Sequence, residues 1–301
     1  MMKANAQSLG AASMAEKGWL TVFSELTKAR LTFLVALTTL VGFYVGFRGA
    51  MDYLLMFHTL LGTGLVASGA SALNQLLEWK YDALMQRTRD RPLPSGRLQP
   101  DTVFWFGTLC SAAGLLYLAF AVNLLTSVLG AITLCSYLFL YTPLKRVTPL
   151  NTAIGAIPGA LPPLMGWTAA RNEINVEAWS LVAILFFWQL PHFLAIAWMY
   201  REDYARAGYA MLPVFDPGGQ RTARRALSHT LGLLPISLCP FLFRMEGFVY
   251  LAGALVLSLA FVWQAIQFSR QVTFQRARRL FYASIIYLPL WLGLMVWDKT
   301  N

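Results

Sequence analysis

Asn74, Glu78 and Asp82 follow one another at four-residue spacing. On a helix turning about 100° per residue, that spacing keeps all three on one face, with about 6 Å of rise between neighbours. Two carboxylates and a carboxamide oxygen so placed can share hard divalent cations. Mg²⁺ in particular is held by one or two carboxylates together with substrate phosphates. Arg87, Arg89 and Arg91 follow closely, and basic groups beside an acidic face suit a diphosphate–metal complex. A solvated helix end with i, i+4 ion pairs would use the same residue types. Asn74 and Glu78, however, close an apolar stretch, where polar groups are costly and tend to be functional.

A second cluster lies at Trp188-Gln189-Leu190-Pro191-His192 and at Tyr200-Arg201-Glu202-Asp203-Tyr204, with Arg206 close behind. If the helix continues through it, His192, Met199 and Asp203 share a face. Pro191 is expected to kink that helix and open its backbone toward a cavity. Glu202 and Asp203 are candidates for a second cation site opposite the first, flanked by Arg201. His192 can pack, contact a substrate or ligate iron. A third cluster, 141–151, contributes Lys145 and Arg146, which serve either as membrane-side anchors or as diphosphate ligands. Gly155, Pro158, Gly159, Pro162, Pro163 and Gly166 follow, small and helix-breaking residues suited to close helix approach beside a cavity.

The elements that must position these groups are membrane helices. The 301 residues are 57% hydrophobic and 13% charged, with a mean hydropathy of +0.53; soluble domains carry roughly 25% charge. Nine apolar stretches long enough to cross a bilayer fall at 31–47, 53–73, 103–122, 124–141, 152–169, 178–199, 226–243, 247–268 and 280–297. Lipid offers no hydrogen bonds to the backbone, so each is expected to be helical. The expected fold is an all-α integral membrane bundle, one domain over 1–301, with 1–24 as a polar tail unlike a signal or transit peptide. The net charge of +10 does not point to nucleic acid. With the N-terminus placed in the cytoplasm, 20 of the 24 Lys and Arg fall in the inner loops, as the positive-inside rule requires. Nine crossings place the C-terminus outside, and a bacterial inner membrane fits. The loops after 73 and after 199 echo each other weakly: apolar helix, polar cluster, Gly/Pro-containing stretch, helix.

Asn74–Thr88, Arg91-Pro-Leu-Pro-Ser-Gly-Arg97, Tyr141–Asn151 with Gly155–Pro163, and Gln189–Pro213 occur in order over roughly 28–220. Together these blocks resemble the UbiA superfamily of intramembrane prenyltransferases. Most members carry a first motif NDxxDxxxD and a second DxxxD. Gln75 and Glu78 replace two of those acids here, and Tyr200-Arg-Glu-Asp-Tyr204, with His192 upstream, stands for the second. Those departures resemble the haem-farnesylating (protohaem IX farnesyltransferase) branch. The resemblance implies a UbiA-like bundle around a central cavity. Its substrates would be farnesyl diphosphate and haem B, its products haem O and diphosphate, and its cofactor Mg²⁺. Asn74, Glu78, Asp82, Glu202 and Asp203 would serve metal and catalysis; Arg87, Arg91, Lys145, Arg146 and Arg201 would hold diphosphate; His192 and Tyr200 would meet haem. A haem A synthase would be the downstream partner. The competing readings are prenylation of an aromatic quinone precursor and membrane transport. A transporter would hold its polar residues nearer the membrane middle.

Overall fold

A computed structural model describes residues 18–300, all helix and loop apart from a single β-bridge between Glu246 and Lys299. The polar tail expected over 1–24 lies outside the described residues up to residue 17. From Trp19 the chain instead forms α1 (Trp19–Leu26). Val22 and Leu26 bury against Ala72, Leu93 and Val103, while Trp19 and Leu20 stay exposed. Such a short helix, apolar on one side with an aromatic at its edge, suits the membrane interface.

The main helices are α2 (Ala29–Gly46), α3 (Tyr53–Asp82), α4 (Pro100–Ala121), α5 (Leu124–Leu144), α8 (Val176–Met199), α12 (Phe248–Arg270) and α13 (Phe274–Trp297). These seven are each long and apolar enough to cross a bilayer. The other two expected spans are each divided. One becomes α6 (Asn151–Ala160) and α7 (Pro162–Arg171), interrupted before the Pro162–Pro163 pair. The other becomes α10 (Gln220–Ile236) and α11 (Cys239–Leu242), separated beside Pro235 and Pro240. Proline lacks the N–H that would carry the ladder onward, so both breaks follow from sequence. Two lesser expectations are corrected. α8 runs unbroken through Pro191, and it ends at Met199, before the short α9 (Arg201–Arg206). His192, Met199 and Asp203 therefore do not share one continuous helical face.

Small residues set the packing at the centre. A Cβ on Gly166 would lie 1.9 Å from the Thr39 carbonyl oxygen, and one on Gly42 2.1 Å from that of Pro163. Backbone contact between α2 and α7 thus depends on glycine from both sides. Large apolar side chains face outward instead, Phe120, Leu124 and Phe248 among them, because lipid is as good a solvent for them as a core.

The loops sort to two ends. At one, Arg171 Nε donates to Gly46 O, and Lys299 Nζ donates to the carbonyls of Tyr44 and Phe47. Glu246 sits beside them, 2% exposed, with neither carboxylate oxygen hydrogen-bonded. Burial, reinforced by Asp298, pushes its pKa from 4.5 up to about 9, against a smaller opposing effect of Lys299. Between those two values the unfolded chain releases a proton that the folded one keeps, so this group lowers stability as pH rises through the window. Glu246→Gln is expected to flatten the fall in unfolding temperature between pH 5 and pH 8, measured in detergent micelles; an unchanged slope would refute it.

Candidate active site

The opposite end gathers the polar clusters. α3 extends nine residues beyond the expected apolar stretch, through the whole first cluster to Asp82. Thr88 Oγ1 donates to Asp82 O at 2.8 Å and satisfies one of the carbonyls a helix end leaves open. Asn74, Glu78 and Asp82 lie on one face as their spacing requires, at 1%, 5% and 1% exposure.

Each meets a different cation. Lys28 Nζ donates to Asn74 Oδ1 at 2.8 Å, Lys145 Nζ to Glu78 Oε1 at 2.7 Å, and Arg91 Nη1 to Asp82 Oδ2 at 2.6 Å. The three cations come from separate elements: the α1–α2 turn, the end of α5 and the loop after α3. Burial would lower the Lys145 ammonium, but Glu78, Tyr141 and Tyr137 outweigh it and hold it well above the lysine range. Lys28 goes the other way. Burial, with Arg91 and Lys145 nearby, brings it down to about 7.

Lys28 is held in a left-handed conformation, φ 48°, uncommon for a residue with a Cβ and frequent at functional sites. Gln75 fixes that turn. Its Nε2 donates to Glu25 O at 2.9 Å and to Leu26 O at 2.7 Å. Where most superfamily members carry an acid, this chain carries an amide that ties down the segment presenting Lys28. Lys145 is supported equally closely. A π-helical stretch of α5, Ser136–Tyr141, brings Tyr137 to accept from Lys28 at 3.4 Å and Tyr141 beneath Lys145, 4.4 Å from its ring centre. Such insertions often re-aim side chains at functional sites. The Tyr141 ring packs where a Cβ on Gly155 would approach to 2.4 Å. Ala210 N donates to Lys145 O at 2.7 Å, and Asn151 Nδ2 donates to Ala210 O at 2.8 Å. These bonds join the 145–151 loop to the one after α9.

Tyrosines link the first and second clusters. Arg87 lies against the rings of Tyr200 and Tyr204, at 4.8 and 5.4 Å, and donates to the Tyr204 hydroxyl at 3.0 Å. Arg146 lies 4.6 Å from the Tyr81 ring and donates to its hydroxyl. Tyr209 packs between Tyr81 and Tyr204, its own hydroxyl buried without a partner.

The remaining predicted residues are not drawn into the row on α3. Arg201 folds over Trp198 and reaches Glu202, whose side chain is 84% exposed. Asp203 pairs with Arg206 at 2.8 Å. His192 stacks between Trp188 and Phe281 and shares a 2.7 Å hydrogen bond with Ser284 of α13. Among the described residues, no three His, Cys, Asp or Glu side chains converge as a metal cage.

A row of oxygens interleaved with cations can receive a phosphorylated anion through the cations and a hard metal through the oxygens. Sequence reasoning missed Lys28, Gln75 and Tyr209. Lys28 registered only as one more inner-loop charge, and nothing local to it signals a left-handed backbone.

The fold and this site define an intramembrane prenyltransferase, and the chain belongs to the UbiA prenyltransferase family, whose sequence profile matches residues 35–291. Among its relatives, protoheme IX farnesyltransferase of Solibacter usitatus (strain Ellin6076) is 48% identical, covering 92% of this chain and 98% of that one. Protoheme IX farnesyltransferase of Koribacter versatilis (strain Ellin345) is 43% identical over 92% and 93%. In three dimensions the chain is similar to a UbiA homolog from Archaeoglobus fulgidus bound to DMAPP and Mg²⁺. That likeness has a TM-score of 0.67 and 16% identity, covering 91% of this chain and 98% of that one, and it carries the fold.

Breaking one partner of a buried pair strands the other charge, at a cost of about 3–5 kcal/mol. Lys145→Met alone is therefore expected to lower stability by that order, and Lys145→Met/Glu78→Gln to restore most of it. Chemical unfolding of both variants checks this; a double variant as unstable as the single would show that the pair does not couple.

Proposed function

We propose that this protein transfers farnesyl from farnesyl diphosphate to the C2 vinyl group of haem B, adding water, to give haem O and diphosphate. The observation that carries the prenyl-diphosphate half is the paired row Lys28–Asn74, Lys145–Glu78 and Arg91–Asp82 at the end of a membrane span. The relatives named above, 43–48% identical over nearly their whole length, support haem as acceptor.

Scission of the farnesyl C1–O bond leaves the electron pair on diphosphate. Lys28, Lys145 and Arg91 are placed to meet that charge, and donors strengthen as the charge develops. The allylic cation bonds to the terminal vinyl carbon. Water supplies the hydroxyl on the inner carbon and gives up a proton. Arg87 and Arg146, held on tyrosine rings, close the polar end, where exclusion of bulk water protects the cation. Asn74, Glu78 and Asp82 provide hard oxygen donors that fit Mg²⁺, which neutralises diphosphate when bound. Asp203, paired with Arg206, is the acid of the second motif proposed to join them, while Glu202 and Arg201 lie at the solvent edge. Tyr200 and His192 are the proposed haem contacts, the latter through the ring nitrogen that Ser284 leaves.

The charge asymmetry of the loops supports a cytoplasmic N-terminus, a cytoplasm-facing site and a periplasmic C-terminus in a bacterial inner membrane. A haem A synthase would consume the product.

Purified protein given farnesyl diphosphate and haem B is expected to form haem O with Mg²⁺ and lose activity on chelation. Product only with 4-hydroxybenzoate would overturn haem as acceptor. Asn74→Ala, Glu78→Ala and Asp82→Ala should each cut turnover by roughly 10²-fold or more, the scale of losing a transition-state charge contact. Near-normal turnover in any two sinks the metal-face reading. Lys28→Met is expected to raise the farnesyl diphosphate requirement, read as KM.

A further inference from the structure

On the outer wall of the bundle, at the same end as the site, lies an open groove of about 660 Å³. One wall is α10, which presents Arg221, Arg224, Arg225 and Ser228 on a single face. Pro149, Leu150, Leu212 and Phe215 form the apolar side, with Leu150 53% and Phe215 57% exposed.

The arginines are placed against their own electrostatics. Arg221 has like charges at i+3 and i+4, a destabilising arrangement. All three stand in the first turns of a helix, where the macrodipole disfavours cations. The carboxylate just before the helix, Asp216, is buried and spent on capping, accepting from Thr222 N at 2.8 Å and Thr222 Oγ1 at 2.9 Å. Among the described residues none of the three arginines forms an ion pair. An anion in the groove would remove the repulsion and satisfy the dipole together.

The order of groups along α10 selects which anion. Three guanidiniums at the helix start give way to the Ser228 hydroxyl and then to exposed Leu231, 49% accessible, further into the span. That is the order of a phospholipid from headgroup phosphate through glycerol to acyl chain. The buried residues of α10 (Thr222, Ala223, Ala226, Thr230, Leu233) face the bundle, so the arginine face looks toward lipid.

We infer that this groove is a binding site for an anionic phospholipid of the surrounding leaflet, its phosphate held by Arg221, Arg224 and Arg225 and its acyl chain laid along Leu231. Leu150 stands on the loop that carries Lys145. Leu212 follows Ala210, which bonds both Lys145 O and Asn151. A lipid seated there braces the two loops that hold Lys145 against Glu78.

The test needs no catalytic readout and so is independent of the farnesyl reading. The wild-type protein and the R221Q/R224Q/R225Q triple variant are placed in phosphatidylcholine nanodiscs with and without phosphatidylglycerol. Unfolding temperature is followed, and retained lipid is counted by native mass spectrometry. The wild type is expected to gain about 3 °C with phosphatidylglycerol and to retain one such lipid that the triple variant loses. The triple Arg→Lys variant, keeping the charge, should retain it in part. Equal retention by wild type and the Gln variant, or a wild type that does not distinguish the two lipids, overturns the proposal. So does equal stabilisation in pure phosphatidylcholine by inorganic phosphate alone, which would mark an oxyanion site without a lipid.

Discussion

The buried pair between Lys145 and Glu78 is the contact on which the polar end of this bundle depends. Neither charge would be tolerated alone at the end of a span, since an unpaired ion there faces a desolvation cost of several kcal/mol. Each therefore constrains the element that carries the other. Glu78 must lie on an α3 that stays helical past the apolar stretch. Lys145 must be delivered by α5, through its π-helical stretch, the seating of Tyr141 against Gly155 of α6 and the bond from Ala210 N to Lys145 O. Lys28 with Asn74 and Arg91 with Asp82 repeat the arrangement one helical turn to either side.

This arrangement gives one set of residues two uses. In these pairs the cations compensate the row of oxygens and keep it ordered. In the proposed reaction a diphosphate arriving with Mg²⁺ would offer each group a stronger partner: phosphate oxygens for the cations, the metal for the oxygens. Preorganisation of this kind lowers the reorganisation required when charge develops on the leaving group. The Lys28 ammonium, brought down to about 7, and the Lys145 ammonium, held well above the lysine range, share one row yet differ in charge stability. Burial lowers both; Arg91 and Lys145 add to it at Lys28, whereas Glu78 and the two tyrosines outweigh it at Lys145.

The tyrosines carry the second constraint. Tyr81, Tyr204 and Tyr209 pack together while Arg87 and Arg146 rest on their faces and edges. Guanidinium groups stack on aromatic rings without losing their charge. The first and second clusters are thus joined by cation–aromatic contacts, and the acids of the second cluster turn to their own arginines.

Much of this was legible in the sequence because it is governed by local rules. Hydropathy gives helices in lipid, the four-residue spacing gives one face for Asn74, Glu78 and Asp82, and prolines stand at the breaks in the fifth and seventh expected spans. The family blocks, read in order, gave the class. Tertiary structure alone decided which cation meets which oxygen, since Lys28, Arg91 and Lys145 are separated by 46, 9 and 67 residues from their partners. It also turned Glu202 outward, set His192 against α13 and made Gln75 a brace for a left-handed turn. Spacing along one helix fixes a face; which groups meet across helices depends on how buried charge can be compensated, and that is settled only when the bundle closes.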